Sequence, residues 1–175
     1  MFTVGLFGPR EDISWQDAFI ECLSNLEGVE YFDPLRHEAL WVGEDMSKQT
    51  NTFHRAKDDV IVFPVTARTY GFSSLAEIGF EVVHMLQAHD QQKLRSLVVF
   101  IEQDADATLP DPAARQESLR IRKLVLERLL RLNLPNVYVV DSLEDMLDVT
   151  VRLCQAHVLT APLQFYLPQN HPPRP

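Results

Sequence analysis

Residues 60–65, Val-Ile-Val-Phe-Pro-Val, form an unbroken apolar run between Asp58-Asp59 and a threonine-rich loop. A strand with one face in water alternates apolar and polar residues, whereas a continuous run rich in β-branched side chains is buried on both faces. Such a strand belongs inside a parallel sheet with helices above and below it. A chain of 175 residues can enclose it, since a domain of that size buries roughly 70% of its unfolded surface.

The rest of the chain supplies the other parts of that sheet. Phe2–Gly8, Val29–Phe32, Leu97–Ile101 and Val137–Val140 are short apolar runs, and helical spacing fills the segments between them. Ser14–Leu26 carries Trp15, Phe19, Cys22, Leu23 and Leu26, with Ser14 as the predicted N-cap and Gly28 as the stop. Ser74–His89 presents Leu75, Ile78, Val82, Met85 and Leu86 on one face. Asp111-Pro112 opens a long helix to about Leu132, aspartate capping and proline in the first turn, and Leu143–His157 is the last helix. Leu35–Asp45 reads as a loop and Met46–Lys57 as a polar helix.

Alternating strands and helices imply right-handed crossovers and an α/β fold of three layers. The five-strand solution is flavodoxin-like, with a parallel sheet in the order 2-1-3-4-5. Its crevice lies beyond the carboxyl ends of the first and third strands. One domain is expected over residues 1–160, followed by a tail over 161–175 whose five prolines predict irregular structure. Three loops then surround one pocket: Gly8–Ile13, Asp33–Asp45 and Thr66–Ser74.

Charge narrows the partners. A formal net charge of -9 argues against polymeric nucleic acid and against an anionic membrane, both of which require a positive surface. A small nucleoside is compatible with it. Cys22 and Cys154 are far apart and belong to no Cys/His cluster, so they read as free thiols. No signal-peptide pattern or bilayer-length apolar run is seen, and the expected location is cytoplasmic. The Gly8-Pro9-Arg10-Glu11-Asp12 turn lacks the glycine fingerprints of dinucleotide and P-loop sites. A serine- and threonine-rich flavin-phosphate loop is also missing, so no cofactor is called for.

Candidate chemistry concentrates after the third strand, in Tyr70-Gly71-Phe72-Ser73-Ser74-Leu75-Ala76-Glu77-Ile78-Gly79. Ser74 and Glu77 have capping-box spacing. Glu77 would equally face the crevice as a nucleophile or acid/base. Asp33-Pro34 opens a long loop in which Arg36, His37, Glu38, Trp41, Glu44 and Asp45 collect, and Trp41 and Phe72 offer flat surfaces for a base. Asn51, His54, Arg55 and Asp58 share a helical face. His84 follows Glu81 on the Glu77 helix without a third ligand, which does not suggest a metal. Arg115, Arg120, Arg122, Lys123, Arg128 and Arg131 read as a solvated helix exterior.

From about residue 4 to residue 101 the chain resembles the nucleoside 2-deoxyribosyltransferase-like family, in its divergent branch. The resemblance rests on Leu6-Phe7-Gly8, on Tyr31-Phe32-Asp33-Pro34 with Trp41 downstream, on Asp59–Phe63, and on Gly71-Phe72-Ser73-Ser74-x-x-Glu77-Ile78-Gly79. It implies that Glu77 attacks the anomeric carbon of a nucleoside, displaces the base and forms a glycosyl ester that a second base or water resolves. It further implies a substrate pocket of Phe7, Gly8, Asp33, Trp41, Asn51, Gly71, Phe72 and Ser73, and a homodimer or higher homo-oligomer. The classical transferases place an aspartate shortly before the glutamate, where this chain has Gly71; another acidic position appears as Asn51. Hydrolysis is thus implied alongside transfer, and a non-catalytic nucleoside- or nucleotide-binding module is the alternative.

Overall fold

A computed structural model describes residues 1–9, 11–34, 54, 57–88 and 95–161. The expectations for the Leu35–Asp45 loop, for most of Met46–Lys57 and for the proline-rich tail lie outside these residues, as do Trp41 and Asn51. The described elements run β1 (Phe2–Leu6), α1 (Gln16–Ser24), β2 (Val29–Phe32), β3 (Val60–Val65), α2 (Phe72–Ala88), β4 (Ser96–Ile101), α3 (Pro112–Leu132), β5 (Val137–Val140) and α4 (Leu143–Thr160). All strand pairs are parallel and the sheet order is β2-β1-β3-β4-β5. This is the expected three-layer flavodoxin-like architecture.

Every residue of β3 is buried. Because side chains alternate across a strand, its residues divide between two cores. Val60 and Val62 join Val4, Leu6, Val98 and Phe100 under Phe19 and Leu23 of α1 and Met146 and Cys154 of α4. Ile61, Phe63 and Val65 join Leu97, Val99 and Ile101 under Leu75, Ile78 and Val82 of α2 and Leu129 of α3. Burial in the first of these pushes the Cys154 thiol up to about 12, whereas Cys22 is only partly buried.

Pro64 occupies a central strand, from which proline is normally excluded because it cannot donate to the ladder. Its position removes the conflict. The carbonyl of Val62 accepts from the Phe7 amide on the β1 side, so Pro64, two residues on, would aim its amide to that same side. There β1 has already ended at Leu6 and the chain is turning away through Gly8. A Cβ on Gly8 would come within 3.1 Å of the Trp15 ring and 3.4 Å of the Pro64 ring. Proline and glycine thus sit together where β1 and β3 diverge.

Three helix ends depart from the sequence reading. Ser14 does not cap α1: its hydroxyl donates to Asp12 Oδ1 at 2.6 Å, and the helix starts after Trp15 without a side-chain cap. Gly28 does not stop that helix, which ends at Ser24 with Asn25 as C-cap; Gly28, at φ 79°, turns the chain into β2 instead. The third departure is α2. It begins at Phe72, and the Gly71 carbonyl accepts the first helical bond, from Leu75 N at 2.9 Å. Ser74 therefore lies inside the first turn and Glu77 in the second, too deep for a capping box. By contrast, Asp111 caps α3 as expected, accepting from Ala113 N at 2.9 Å and Ala114 N at 3.2 Å, with Pro112 in the first turn.

Candidate functional site

The loops after β1, β2 and β3 are hydrogen-bonded to one another. Asp12 accepts from the Ser14 amide and hydroxyl through Oδ1 and from Thr66 Oγ1 at 2.7 Å through Oδ2, joining the first loop to the third. Burial acts to raise its pKa, but the Ser14 and Thr66 hydrogen bonds, with the Arg68 guanidinium nearby, outweigh that and hold the carboxyl below its usual range. Gln16, at the start of α1, donates to Asp33 Oδ1 at 3.3 Å and so ties the first loop to the end of β2. Asp12 and Gln16 were not singled out in the sequence; both belong to polar stretches that read as turn and helix start.

The third loop is fixed from the far side of α2. Arg122 on α3 has no exposure to solvent. Its guanidinium donates to the carbonyls of Val65, Thr66 and Thr69 and to Glu102 O at 2.8 Å, and its Nε donates to Ser118 Oγ at 3.0 Å. Ser118 Oγ donates in turn to Tyr70 O at 2.7 Å. The Glu102 carboxylate accepts from Ala67 N at 2.6 Å. Burial pulls the Arg122 pKa down and the Glu102 charge opposes this. The solvated-exterior reading of this arginine is overturned. Its register with Ser118 and Leu129, the other buried positions of α3, was the available signal.

This clamped loop delivers α2 through Gly71. The residue has φ 67°, and a Cβ there would stand 2.5 Å from Val65 Cγ1. No side chain fits, so the position where the resembling transferases carry an aspartate is closed to one. Phe72 and Ser73 follow at the exposed end of the helix, with the Phe72 ring parallel to Tyr70 at 5.9 Å. The Tyr70 hydroxyl accepts from Asp111 N at 2.9 Å.

Glu77 is partly buried. It lies one turn before Glu81, which is 2% exposed, on the same strip of α2. The charge of Glu81 acts on Arg95. That arginine is buried, donating to Asp58 O at 2.9 Å; burial lowers its pKa, and the charges of Glu81, Asp58 and Asp59 raise it. Asp58, itself 1% exposed, has its pKa raised by burial, which outweighs the opposing contributions of His54, Thr3 and Arg95. Its Oδ1 is 3.2 Å from His54 Nδ1, and the His54 ring stacks on Phe32 with centroids 3.7 Å apart. Its Oδ2 fills, with the Phe7 ring, the space a Cβ on Gly5 would need. Charged and aromatic groups therefore neighbour one another from Gly5 through Asp58 to Arg95 and Glu81, and Asp58 and Arg95 precede β3 and β4 at the amino ends of the strands.

The remaining expected site residues divide. Phe7 is 1% exposed and packs against Phe63 and Phe32 at 5.7 and 6.0 Å, which makes it part of the wall and core. Asp33 is fully buried at the end of β2. Gly8 lines the divergence of β1 and β3. Two donors in the first and third loops, Trp15 Nε1 and Thr69 Oγ1, are buried without a hydrogen-bond partner among the described residues. Among the described residues no three histidine, cysteine, aspartate or glutamate side chains are grouped to hold a metal ion. No described helix is long and apolar enough to cross a membrane.

No family model and no curated protein matches the chain. Among solved structures it is similar to the RPS4 and RRS1 TIR domain heterodimer, at 13% identity and a TM-score of 0.47 over 89% of this chain and 96% of that one. It is also similar to a thermophilic tryptophan halogenase from Streptomycin violaceusniger, at 15% identity and a TM-score of 0.34 over 91% and 98% of the two chains.

Proposed function

We propose that the protein cleaves or transfers the N-glycosidic bond of a nucleoside or nucleotide, with Glu77 as the carboxylate nucleophile. The observation that carries this reading is the position of Glu77. It is a partly buried carboxylate in the second turn of α2, the helix that follows β3 through a loop held by a buried arginine. In a doubly wound sheet, ligands bind in the crevice where β1 and β3 diverge. Attack on an oxocarbenium-like anomeric carbon requires an ionised carboxylate held in place. Trp15 Nε1 and Thr69 Oγ1, buried donors without a partner among the described residues, support a polar ligand at the same loops. Water is the acceptor best supported, because Gly71 has no room for the side chain with which the resembling transferases handle a base.

The same closed position favours one second reading, a non-catalytic module that binds a nucleoside or nucleotide. Both are tested by incubating the protein with a panel of nucleosides and nucleotides and following free base, with and without an acceptor base. Catalysis predicts base release that Glu77→Gln lowers by several orders of magnitude at an unchanged thermal midpoint. Because Glu77 is not part of a capping box, the substitution should leave helix stability alone. Undiminished release in Glu77→Gln would exclude the nucleophile. No release by the wild type would leave the binding module, checked by ligand-induced thermal stabilisation.

A further inference from the structure

Attack by Glu77 needs a counterpart, because a purine or pyrimidine leaves poorly as an anion and has to gain a proton as the glycosidic bond breaks. Gly71 has no room for a side chain that could supply it. We infer that His54, oriented by Asp58, is the group that protonates the departing base, an inference that rests on the reading of Glu77 as nucleophile.

Three contacts place the imidazole. His54 Nδ1 is 3.2 Å from Asp58 Oδ1. The ring lies on that of Phe32, with centroids 3.7 Å apart and planes 3° from parallel. Phe32 is the last residue of β2, so His54 stands at the carboxyl end of that strand even though Asp58 precedes β3 at its amino end. The Asp58 carboxylate spans the difference by lying over Gly5, the penultimate residue of β1, where a Cβ would be 2.5 Å from Oδ2 and would also strike the Phe7 ring. Phe7 and Phe32 belong to the core that Leu75 and Ile78 of α2 cover. His54 and α2 therefore share one face of the sheet: the imidazole over β2, the Glu77 helix over β3 and β4, and β1 between them.

The contact with Asp58 decides which nitrogen works. A carboxylate on Nδ1 keeps a proton there and fixes the tautomer, so Nε2 is the nitrogen that gives up and regains a proton. Stacking on Phe32 sets the plane of the ring. The His54 side chain is 29% exposed and that of Asp58 1%, so the pair is closed at its orienting end and open at the imidazole. Asp58 Oδ2 is buried without a hydrogen-bond partner among the described residues, an arrangement costly for structure alone.

In the first step a Glu77 oxygen bonds to the anomeric carbon as the bond from that carbon to the base nitrogen breaks. The electron pair goes to the base, which takes the Nε2 proton of the imidazolium and departs neutral. In the second step neutral His54 takes a proton from water as the water oxygen attacks the anomeric carbon and the Glu77 carboxylate leaves. Both groups are then restored.

The test compares purine nucleosides, ribose and deoxyribose, with the same nucleosides methylated at N7. A methylated base already carries a positive charge and leaves neutral without a proton. Free base is followed for the full chain, less the release without protein. His54→Asn keeps a donor for Asp58 but loses Nε2. It should lower release from the unmethylated nucleoside about 10²–10⁴-fold and leave release from the methylated one nearly unchanged. Asp58→Asn, which frees the tautomer, should show the same selective loss, whereas Glu77→Gln should lower both. Equal losses on the two substrates in both variants, or no loss in either, would overturn the role of His54 while leaving that of Glu77 standing. No release by the wild type from either substrate would overturn both.

Discussion

Arg122 donates five hydrogen bonds from a side chain that water does not reach, and three of their acceptors are backbone carbonyls of residues 65–69. Removing it takes the donor from Thr69 O and Glu102 O, whereas Val65 O keeps Glu102 N and Thr66 O keeps Thr69 N; a buried polar group left without a partner costs about 1–3 kcal/mol. Arg122→Met should therefore lower the unfolding free energy by about 3–5 kcal/mol in urea titration. Arg122→Lys should recover little of this, because one ammonium with three donors cannot replace a planar fork. An equally stable methionine variant would show that the carbonyls find other donors. Residues of this kind are hard to read from sequence. Arg122 stands among five other cations between 115 and 131, and composition there points to a solvated face; only its register with Ser118 and Leu129 marks it as inward. The position of Glu77 on the helix after β3, in contrast, was legible, because a carboxylate just after a small-residue turn is a local pattern.

At the scale of elements, the strands were the clearer part of the sequence and the helix starts the less clear. A run such as Val60–Val65 has to be buried wherever it occurs, so its position follows from composition alone. Helix starts depend on which donor a polar side chain chooses. Ser14 has the chemistry of an N-cap, but its hydroxyl goes to Asp12, which is occupied in turn with Thr66. Ser74 has the spacing of a capping box, but Gly71, at positive φ, starts the helix earlier. Asp111 met no such competitor. Its carboxylate serves Ala113 N and Ala114 N, and Asp111→Ala should cost about 1 kcal/mol of stability by denaturant titration, with Asp111→Asn costing less. A loss below 0.3 kcal/mol would show that water replaces the cap. Ser74→Ala supplies the contrast, since the capping contribution expected from sequence is not present to lose.

Over the whole molecule, the two cores lie on opposite faces of one sheet and share β3, so neither can open far without exposing the strand that supports the other. The order β2-β1-β3-β4-β5 followed from alternation and apolar runs, because few topologies satisfy both. What alternation does not encode is the outward side of α2, where Phe72, Phe80, Val83 and Leu86 stand exposed. The position of Cys154 has a consequence for how this shared core can be observed. Its thiol is enclosed beneath α4 and held to about 12, so at neutral pH a thiol reagent can reach it only after the chain has come apart. Cys22, partly buried on α1, should be modified first, and in the native state. The slow second addition, followed by mass spectrometry in plain buffer, then counts global openings one molecule at a time. Its rate should become independent of reagent at high concentration, where it equals the unfolding rate. Modification of Cys154 as fast as that of Cys22 would mean that α4 detaches by itself. The protein thus carries an internal clock of its own unfolding, with no label added.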